Sequence, residues 1–237
     1  MTEKEAIKRH LSNNKEEENR ICFSGFMAAL RDARETTGRD PETGYYTGNE
    51  PKSGSWLGTI GYMALLDQIG KCFKPKDADN VAGNSYKKAL KYFEKMNGMN
   101  DDDINALYAL RNALMHDFSL SNVEPRDPYK GDFSPKKNGK HYIFSGTTDS
   151  DKIVEHAKEP WNGKYKDMKP ENETQINLKR FGDMVEEIYE KLIELYDEDN
   201  LEIALAGGAD ELIKRYSFCK AKPKPESEEG NTSFCRF

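Results

Sequence analysis

The stretch DDDINALYALRNALMHDFSL, residues 101–120, decides how this sequence is interpreted. On a helix at about 100° per residue, Leu107, Leu110 and Leu114 fall on one stripe, which Phe118 continues one turn later. Leucines repeated at this spacing are typical of a helix that packs one face against a core. The stretch therefore predicts an amphipathic helix that ends near Phe118.

A second face of the same helix carries polar and aromatic side chains. It spans roughly 140° of arc and comprises Ile104, Tyr108, Arg111, Asn112, Met115 and His116. Asn112 and His116 are one turn apart, and the long Arg111 side chain can lie beside them. Met, Tyr and Arg are favoured at protein interfaces. Across a two-fold axis the same patch meets itself, so two Arg111 and two His116 would converge in one cleft of a homodimer.

Such a cleft can cleave RNA without a metal ion. A histidine near neutral pKa can accept the proton of a ribose 2′-hydroxyl or protonate the leaving 5′-oxygen. An arginine can bind the scissile phosphate and stabilise the added charge of its transition state. We therefore take Arg111 and His116 as candidate catalytic residues, with Asn112 supporting them and Tyr108 as a candidate RNA contact.

The hexamer RNALMH, residues 111–116, resembles the R-x(4–6)-H signature of HEPN domains, including the polar residue that commonly follows the arginine. The resemblance implies a helical bundle, usually dimeric, and a metal-independent ribonuclease of a toxin–antitoxin or phage-defence system. An antitoxin protein would then be a partner. Some of these toxins carry a tyrosine two residues after the histidine. Phe118 stands there, so the resemblance does not extend to control by modification of that tyrosine.

Two other interpretations of the motif stay open. The chain can be a non-catalytic HEPN module that binds a nucleotide, RNA or a partner protein. It can also be an unrelated helical structural protein in which Arg111 and His116 are ordinary residues of a helix surface. The acidic triplet at 101–103 does not require a metal ion, because carboxylates at a helix N-terminus cap backbone N–H groups and match the helix dipole. No metal or cofactor is expected.

Helical periodicity also recurs elsewhere in the chain. The predicted helices lie near residues 2–20, 21–35, 56–69, 85–96, 181–195 and 201–216, and a loop rich in Gly and Pro covers 38–55. We therefore predict an all-α fold, a HEPN-like helical bundle in a single domain over residues 1–217. An insertion with short strands occupies about 119–170, where HYIFSG (141–146) reads as half of a hairpin. Residues 218–237 are predicted to form a flexible tail.

The insertion offers a second place for RNA to bind. Residues 128–144 interleave four lysines with aromatic residues, so that cations can follow phosphates while rings stack on unpaired bases. The lysines are Lys130, Lys136, Lys137 and Lys140. The alternative is a solvated hairpin tip whose lysines only keep it soluble.

Composition sets the remaining limits. The net charge of -6 argues against a protein that coats nucleic acid non-specifically, although it allows a local basic site.

The four cysteines are not spaced as a zinc site, and the N-terminal residues contain no apolar signal region. We therefore expect reduced thiols and a cytoplasmic protein without a membrane span. No Gly-rich phosphate-binding loop or G-x-S-x-G motif is present, which leaves ATPase and serine-hydrolase chemistry without support.

Overall fold

The structure, a computed structural model, describes residues 1–12, 15–17, 20–48, 55–93, 98–127, 132–147 and 150–221. Within these residues the helices are α1 (Glu3–His10), α2 (Gly25–Thr36), α3 (Ser55–Cys72), α4 (Ser85–Tyr92), α5 (Asp101–Asp117), α6 (Leu178–Asp197) and α7 (Gly208–Tyr216). The strands are β1 (Lys15–Glu17), β2 (Arg20–Ser24), β3 (Phe73–Pro75), β4 (Ser121–Val123), β5 (Pro125–Asp127), β6 (Asp132–Pro135), β7 (His141–Thr147), β8 (Val154–Glu155), β9 (Glu173–Asn177), β10 (Leu201–Ile203) and β11 (Ser217–Ala221). Short 3-10 turns lie at Tyr165–Asp167 and Pro170–Asn172.

The fold is mixed α/β, so the prediction of an all-α helical bundle is wrong. A four-stranded sheet has the order β4-β7-β9-β8, in which β7 is antiparallel to β4 and parallel to β9. The predicted strand at 141–146 exists as β7, but as an inner strand of this sheet and not as half of an isolated hairpin. β4 and β8 are only three and two residues long. Strands this short carry no readable alternation of polar and apolar residues.

Three smaller sheets complete the strand pairing within the described residues. β2 lies between β1 and β11, β3 pairs with β10, and β5 pairs with β6. β11 covers residues 217–221, so the first residues of the predicted tail are paired with a strand near the N-terminus. The rest of that segment, residues 222–237, lies outside the described residues.

The helices and the four-stranded sheet share one hydrophobic core. Its largest fully buried side chains include Tyr62, Tyr86, Phe26, Phe73 and Phe181. Helices α3 and α4 approach so closely that a Cβ atom on Gly70 would overlap the Ser85 carbonyl oxygen. Only glycine, which has no side chain, allows the two helices to come this close. The contact places the first turn of α4, which contains Tyr86, against α3.

Helix α5 begins with a complete capping box. The Asn100 side chain accepts hydrogen bonds from the backbone N–H groups of Asp102 and Asp103, and the Asp103 carboxylate accepts one from the Asn100 N–H. The acidic triplet therefore stabilises the helix start. The helix ends at Phe118, whose φ of 50° is left-handed.

More than one face of α5 is buried. The predicted leucine stripe is in the core, but Ile104 and Tyr108, assigned to the polar face, are also buried at 1% and 5% exposure. Phe118, predicted to continue the core stripe, is 62% exposed. The reason is that α5 packs against α3 and α4 and also against β4, β7 and β8. A helix between two layers buries most of its circumference, except at its C-terminal end.

The cysteines differ from the expectation of four reduced thiols. Cys72 is free and buried, whereas Cys22 is disulfide-bonded. The expectation is therefore wrong for Cys22, and the cysteines do not support a cytoplasmic location. Within the described ranges, none of the helices is both long and apolar enough to span a bilayer.

His10 is a buried histidine in the aromatic part of the core. Its ring lies 5.4, 5.5 and 5.7 Å from the rings of Phe26, Phe73 and Tyr216. Nε2 is 3.3 Å from the Gln68 side-chain nitrogen, and Nδ1 has no hydrogen-bond partner in the described part of the chain. Burial lowers the pKa of His10 from 6.5 to about 4, so the ring is neutral in the folded protein at neutral pH.

We expect stability to fall as the pH drops from 6.5 toward 4, because unfolded His10 binds a proton in this range and folded His10 does not. The loss that His10 causes is about 2 kcal/mol between pH 7 and pH 5. His10→Phe keeps an aromatic ring and should lack this part of the pH dependence. Urea unfolding of both proteins at pH 7, 6 and 5 measures the difference. Parallel stability curves would show that His10 is not its source.

Candidate functional site

Arg111 is held in place by an aspartate on the neighbouring helix α3. Its Nη2 lies 2.6 Å from Asp67 Oδ2, and its Nε donates to the same oxygen at 2.8 Å. The two side chains are 21% and 25% exposed, so the pair lies at the edge of the core. One charge-assisted hydrogen bond from Nε and the ion-pair contact of Nη2 hold the guanidinium against this carboxylate.

Asn112 contacts the same guanidinium from the adjacent position. Its Oδ1 accepts a hydrogen bond from Arg111 Nη1 at 3.0 Å. A guanidinium has five N–H groups. Nε and Nη1 donate to Asp67 and Asn112, and Nη2 forms the ion pair with Asp67, so each terminal nitrogen keeps at least one N–H group that no described residue accepts. Two adjacent donors of this kind match two oxygens of a phosphate.

Asp67 itself is close to the core. Burial raises the pKa of the Asp67 carboxyl, and Arg111 partly opposes this shift. The backbone of Tyr86 also acts to lower the pKa of this carboxyl. The Tyr86 hydroxyl is buried without a partner in the described residues. Asp67 and Arg111 are therefore partly shielded from water, which favours close contact between the carboxylate and the guanidinium.

His116 lies in the last turn of α5 and is exposed. Its ring makes no hydrogen bond or ion pair with any described residue. Five helical positions place its Cα roughly 9 Å from that of Arg111. Within one copy the two side chains therefore do not contact each other directly, but both lie toward the uncovered end of the helix.

Exposed apolar side chains lie close to His116 in the sequence at this end of the helix. Met115, Phe118 and Leu120 are 38%, 62% and 38% exposed. Large apolar residues grouped on a surface are typical of contact sites. A second copy that packs here would cover them and bring its own Arg111 and His116 close.

Tyr108, a candidate RNA contact, is instead part of the core. Its ring lies 6.3 Å from that of Tyr86 and beneath the Lys87 ammonium, 5.0 Å from Nζ. A ring at 5% exposure does not reach a ligand at the surface, so Tyr108 is not part of the site.

Three of the four candidate lysines lie in the described residues, and Lys130 lies outside them. Lys136, Lys137 and Lys140 are all exposed. Lys136 Nζ is 3.1 Å from a Glu124 oxygen, and Lys140 Nζ lies over the Tyr142 ring at 5.0 Å. Lys137 forms no ion pair with a described residue.

A cavity of about 840 Å³ lies at the opposite end of α5. In its wall, His156 Nε2 is 2.8 Å from Asp103 Oδ1. About 13 helical residues, or roughly 20 Å, separate Asp103 from His116. The cavity is therefore separate from the Arg111 site. No group of three potential metal-ligating side chains occurs in the described ranges.

Asp67 is the site residue that sequence reasoning missed. Asp67 interrupts the apolar pattern of α3, and this interruption could have identified it from the sequence. A carboxylate in a mostly buried helix needs a partner. Sequence alone does not show which of the many arginines and lysines supplies it.

Comparison with protein-family models, curated proteins and solved structures found no match for this chain.

Proposed function

We propose that this protein is a metal-independent endoribonuclease of the HEPN type that cleaves single-stranded RNA in a cleft between two copies. Arg111 and His116 are the catalytic residues, and Asn112 and Asp67 orient Arg111. A toxin or phage-defence effector with an antitoxin partner is the biological role that fits this chemistry.

The reaction needs only these side chains. The neutral His116 of one copy accepts the proton of the ribose 2′-hydroxyl as that oxygen attacks phosphorus. The bond from phosphorus to the 5′-oxygen breaks, and the leaving oxygen takes a proton from a water molecule, while the His116 imidazolium returns its proton to the resulting hydroxide. The products are a 2′,3′-cyclic phosphate and a 5′-hydroxyl. Arg111 donates its two remaining N–H groups to the phosphate oxygens as their charge increases.

The proposal rests on the hydrogen bonds and the exposure of the Arg111 side chain. Its Nε and Nη1 donate hydrogen bonds to Asp67 and Asn112, and each terminal nitrogen keeps an N–H group for a ligand. The side chain keeps 21% exposure, and an exposed histidine follows on the same helix end.

The test is cleavage of a single-stranded RNA oligonucleotide by the purified protein in excess chelator. We expect cleavage to persist and to leave 2′,3′-cyclic phosphate ends. His116→Ala protein, purified identically, is the control for contaminating nucleases. Absence of cleavage, loss of cleavage on chelation, or equal cleavage by the control would contradict the proposal. Sedimentation of the active protein as a monomer would contradict the shared cleft.

A second candidate function is a non-catalytic module that binds RNA, a nucleotide or a protein through the same surface. The observation that favours it is that Asp67 already neutralises Arg111, while His116 has no orienting partner in the described residues. A catalytic histidine is usually oriented by a third group. Binding without cleavage by the wild-type protein would favour this function.

A further inference from the structure

The loop formed by residues 158–169 presents a tyrosine to solvent between two lysines. Tyr165 is 84% exposed, and Lys164 and Lys166 on either side of it are exposed as well. Neither lysine forms an ion pair with a described residue. Tyrosine usually buries most of its ring, because the ring carries a large apolar area. Its exposure here leaves the ring free to stack on a ligand.

The loop is held in a defined shape behind this tyrosine. Trp161 Nε1 donates to the Lys164 carbonyl at 3.2 Å, and the Asn162 side chain donates to Asp167 at 2.7 Å. Gly163 has a φ of +77°, and a Cβ there would lie 2.5 Å from the His141 ring. These contacts fix the backbone on both sides of Tyr165, so its exposure is a property of the folded loop.

The loop also joins the lysines that precede β7. His141 and Trp161 form a β-bridge, and their rings meet edge to face at 6.0 Å. Residues 136–140 carry three lysines and no acid, and residues 158–169 carry four lysines and two acids. These two adjoining segments therefore have a net charge of +5 in a chain whose total is -6. Glu124 lies beside them and pairs with Lys136, whereas Lys137 stays unpaired among the described residues.

We propose that residues 136–141 and 158–169 form a docking surface for single-stranded RNA. Tyr165 stacks on an unpaired base, and Lys137, Lys164 and Lys166 contact phosphates. An exposed ring flanked by cations is the arrangement by which proteins bind single strands. Duplex RNA would contact the lysines but would offer no free base face to the tyrosine. The choice of RNA over single-stranded DNA rests on the proposed function.

This surface can supply substrate to the Arg111 site along the sheet. β4 starts shortly after α5 ends, and Val123 in β4 pairs with His141 in β7. The seven residues from His116 to Val123 span at most about 24 Å. His141 in turn bridges to Trp161 in the loop that carries Tyr165, so β4 and β7 connect this loop to the end of α5.

The test uses the His116→Ala background, so that RNA is bound and not cleaved. Fluorescence anisotropy with a labelled 12-nucleotide oligouridine measures the Kd. Tyr165→Ala should raise the Kd about 5- to 150-fold, the range for one lost base stack. Lys164→Ala with Lys166→Ala should reduce the slope of log K against log salt by about 1.4. Tyr45→Ala, which removes a ring of 75% exposure that lysines do not flank in the sequence, should leave the Kd unchanged.

The results of this test distinguish RNA binding at the docking surface from RNA cleavage. An unchanged Kd in Tyr165→Ala overturns the docking surface, even if the wild-type protein cleaves RNA. Loss of binding in Tyr165→Ala without cleavage by the wild type keeps the surface and contradicts only the nuclease. Equal affinity for duplex RNA, or Tyr165-dependent binding to phosphatidylserine vesicles instead of RNA, overturns the assignment to single strands.

Discussion

Replacing His116 with alanine should lower the rate constant for RNA cleavage by about 100- to 10,000-fold, the range for a lost general acid or base. The free energy of unfolding should stay within about 0.5 kcal/mol of the wild-type value. The structural reason is that the His116 side chain is exposed and bonded to no described residue. Single-turnover cleavage and urea unfolding measure the two quantities. A comparable fall in stability would show that the histidine supports the fold and not the reaction.

The matched control for this variant is Asp117→Ala. Asp117 is exposed in the same last turn of α5 and forms no ion pair with a described residue. Its replacement should leave cleavage close to the wild-type rate. If both variants lose activity equally, the effect comes from the helix end as a whole and not from the imidazole.

Mixed copies test whether the site is shared between subunits. Arg111→Lys keeps a cation beside Asp67 but loses the planar fork that binds a phosphate through two donors. It should therefore fold normally and cleave slowly. When it is mixed with His116→Ala and allowed to exchange subunits, the mixed dimers combine an intact Arg111 with an intact His116 from different copies. We expect cleavage to recover in the mixture. Failure to recover would place each site within a single copy.

The start of α5 and the position of its polar residues could be predicted from sequence because both depend on local chemistry. Asn100 and Asp103 form their capping box within four residues. The spacing of Arg111 and His116 on one helix follows from helical geometry alone. β7 was also recognisable, since its alternating pattern is seven residues long.

The burial of α5 could not be predicted, because it depends on partners that are distant in the chain. Tyr108 and Ile104 are buried by elements on two sides of the helix, and the four-stranded sheet was not foreseen. β9 contributes to that sheet with the sequence ETQIN, in which Thr174 and Ile176 are buried among polar residues. Such a strand is stabilised by its pairing and not by its own composition. Asp67 was missed for a related reason, because its partner Arg111 is 44 residues away.

Glu186 lies at the centre of a buried polar cluster that joins α2, α3 and α6. Its carboxylate accepts hydrogen bonds from Arg34 Nη2 at 2.7 Å and from the Tyr62 hydroxyl at 2.6 Å. The Arg34 and Glu186 side chains are only 4% and 11% exposed. Arg34 Nη1 also donates to the carbonyls of Pro41 and Glu42, at 3.1 and 2.9 Å. The cluster therefore also holds the loop that follows α2.

Glu186→Gln should lower the free energy of unfolding by about 3–5 kcal/mol, the cost of breaking a buried ion pair from one side. The amide has nearly the same volume, so the loss comes from a guanidinium left without its countercharge. Glu187→Gln makes the same change one position later on α6, at an exposed residue, and should change stability by less than about 0.5 kcal/mol. Urea unfolding of the three proteins measures both effects. If both variants lost the same amount of unfolding free energy, the effect would not come from the buried ion pair.

The double variant Arg34→Met/Glu186→Gln distinguishes two contributions to stability. One is the Arg34–Glu186 ion pair, and the other is the set of hydrogen bonds from Arg34 to the loop after α2. If the loss in Glu186→Gln reflects an uncompensated guanidinium, removing that guanidinium relieves part of it. The double variant should then be more stable than the sum of the single losses, by about 0.5–3 kcal/mol. If Arg34 acts chiefly through Pro41 and Glu42, the two losses add in full. Recovery should in any event be incomplete, because Arg34→Met also removes the hydrogen bonds to the Pro41 and Glu42 carbonyls.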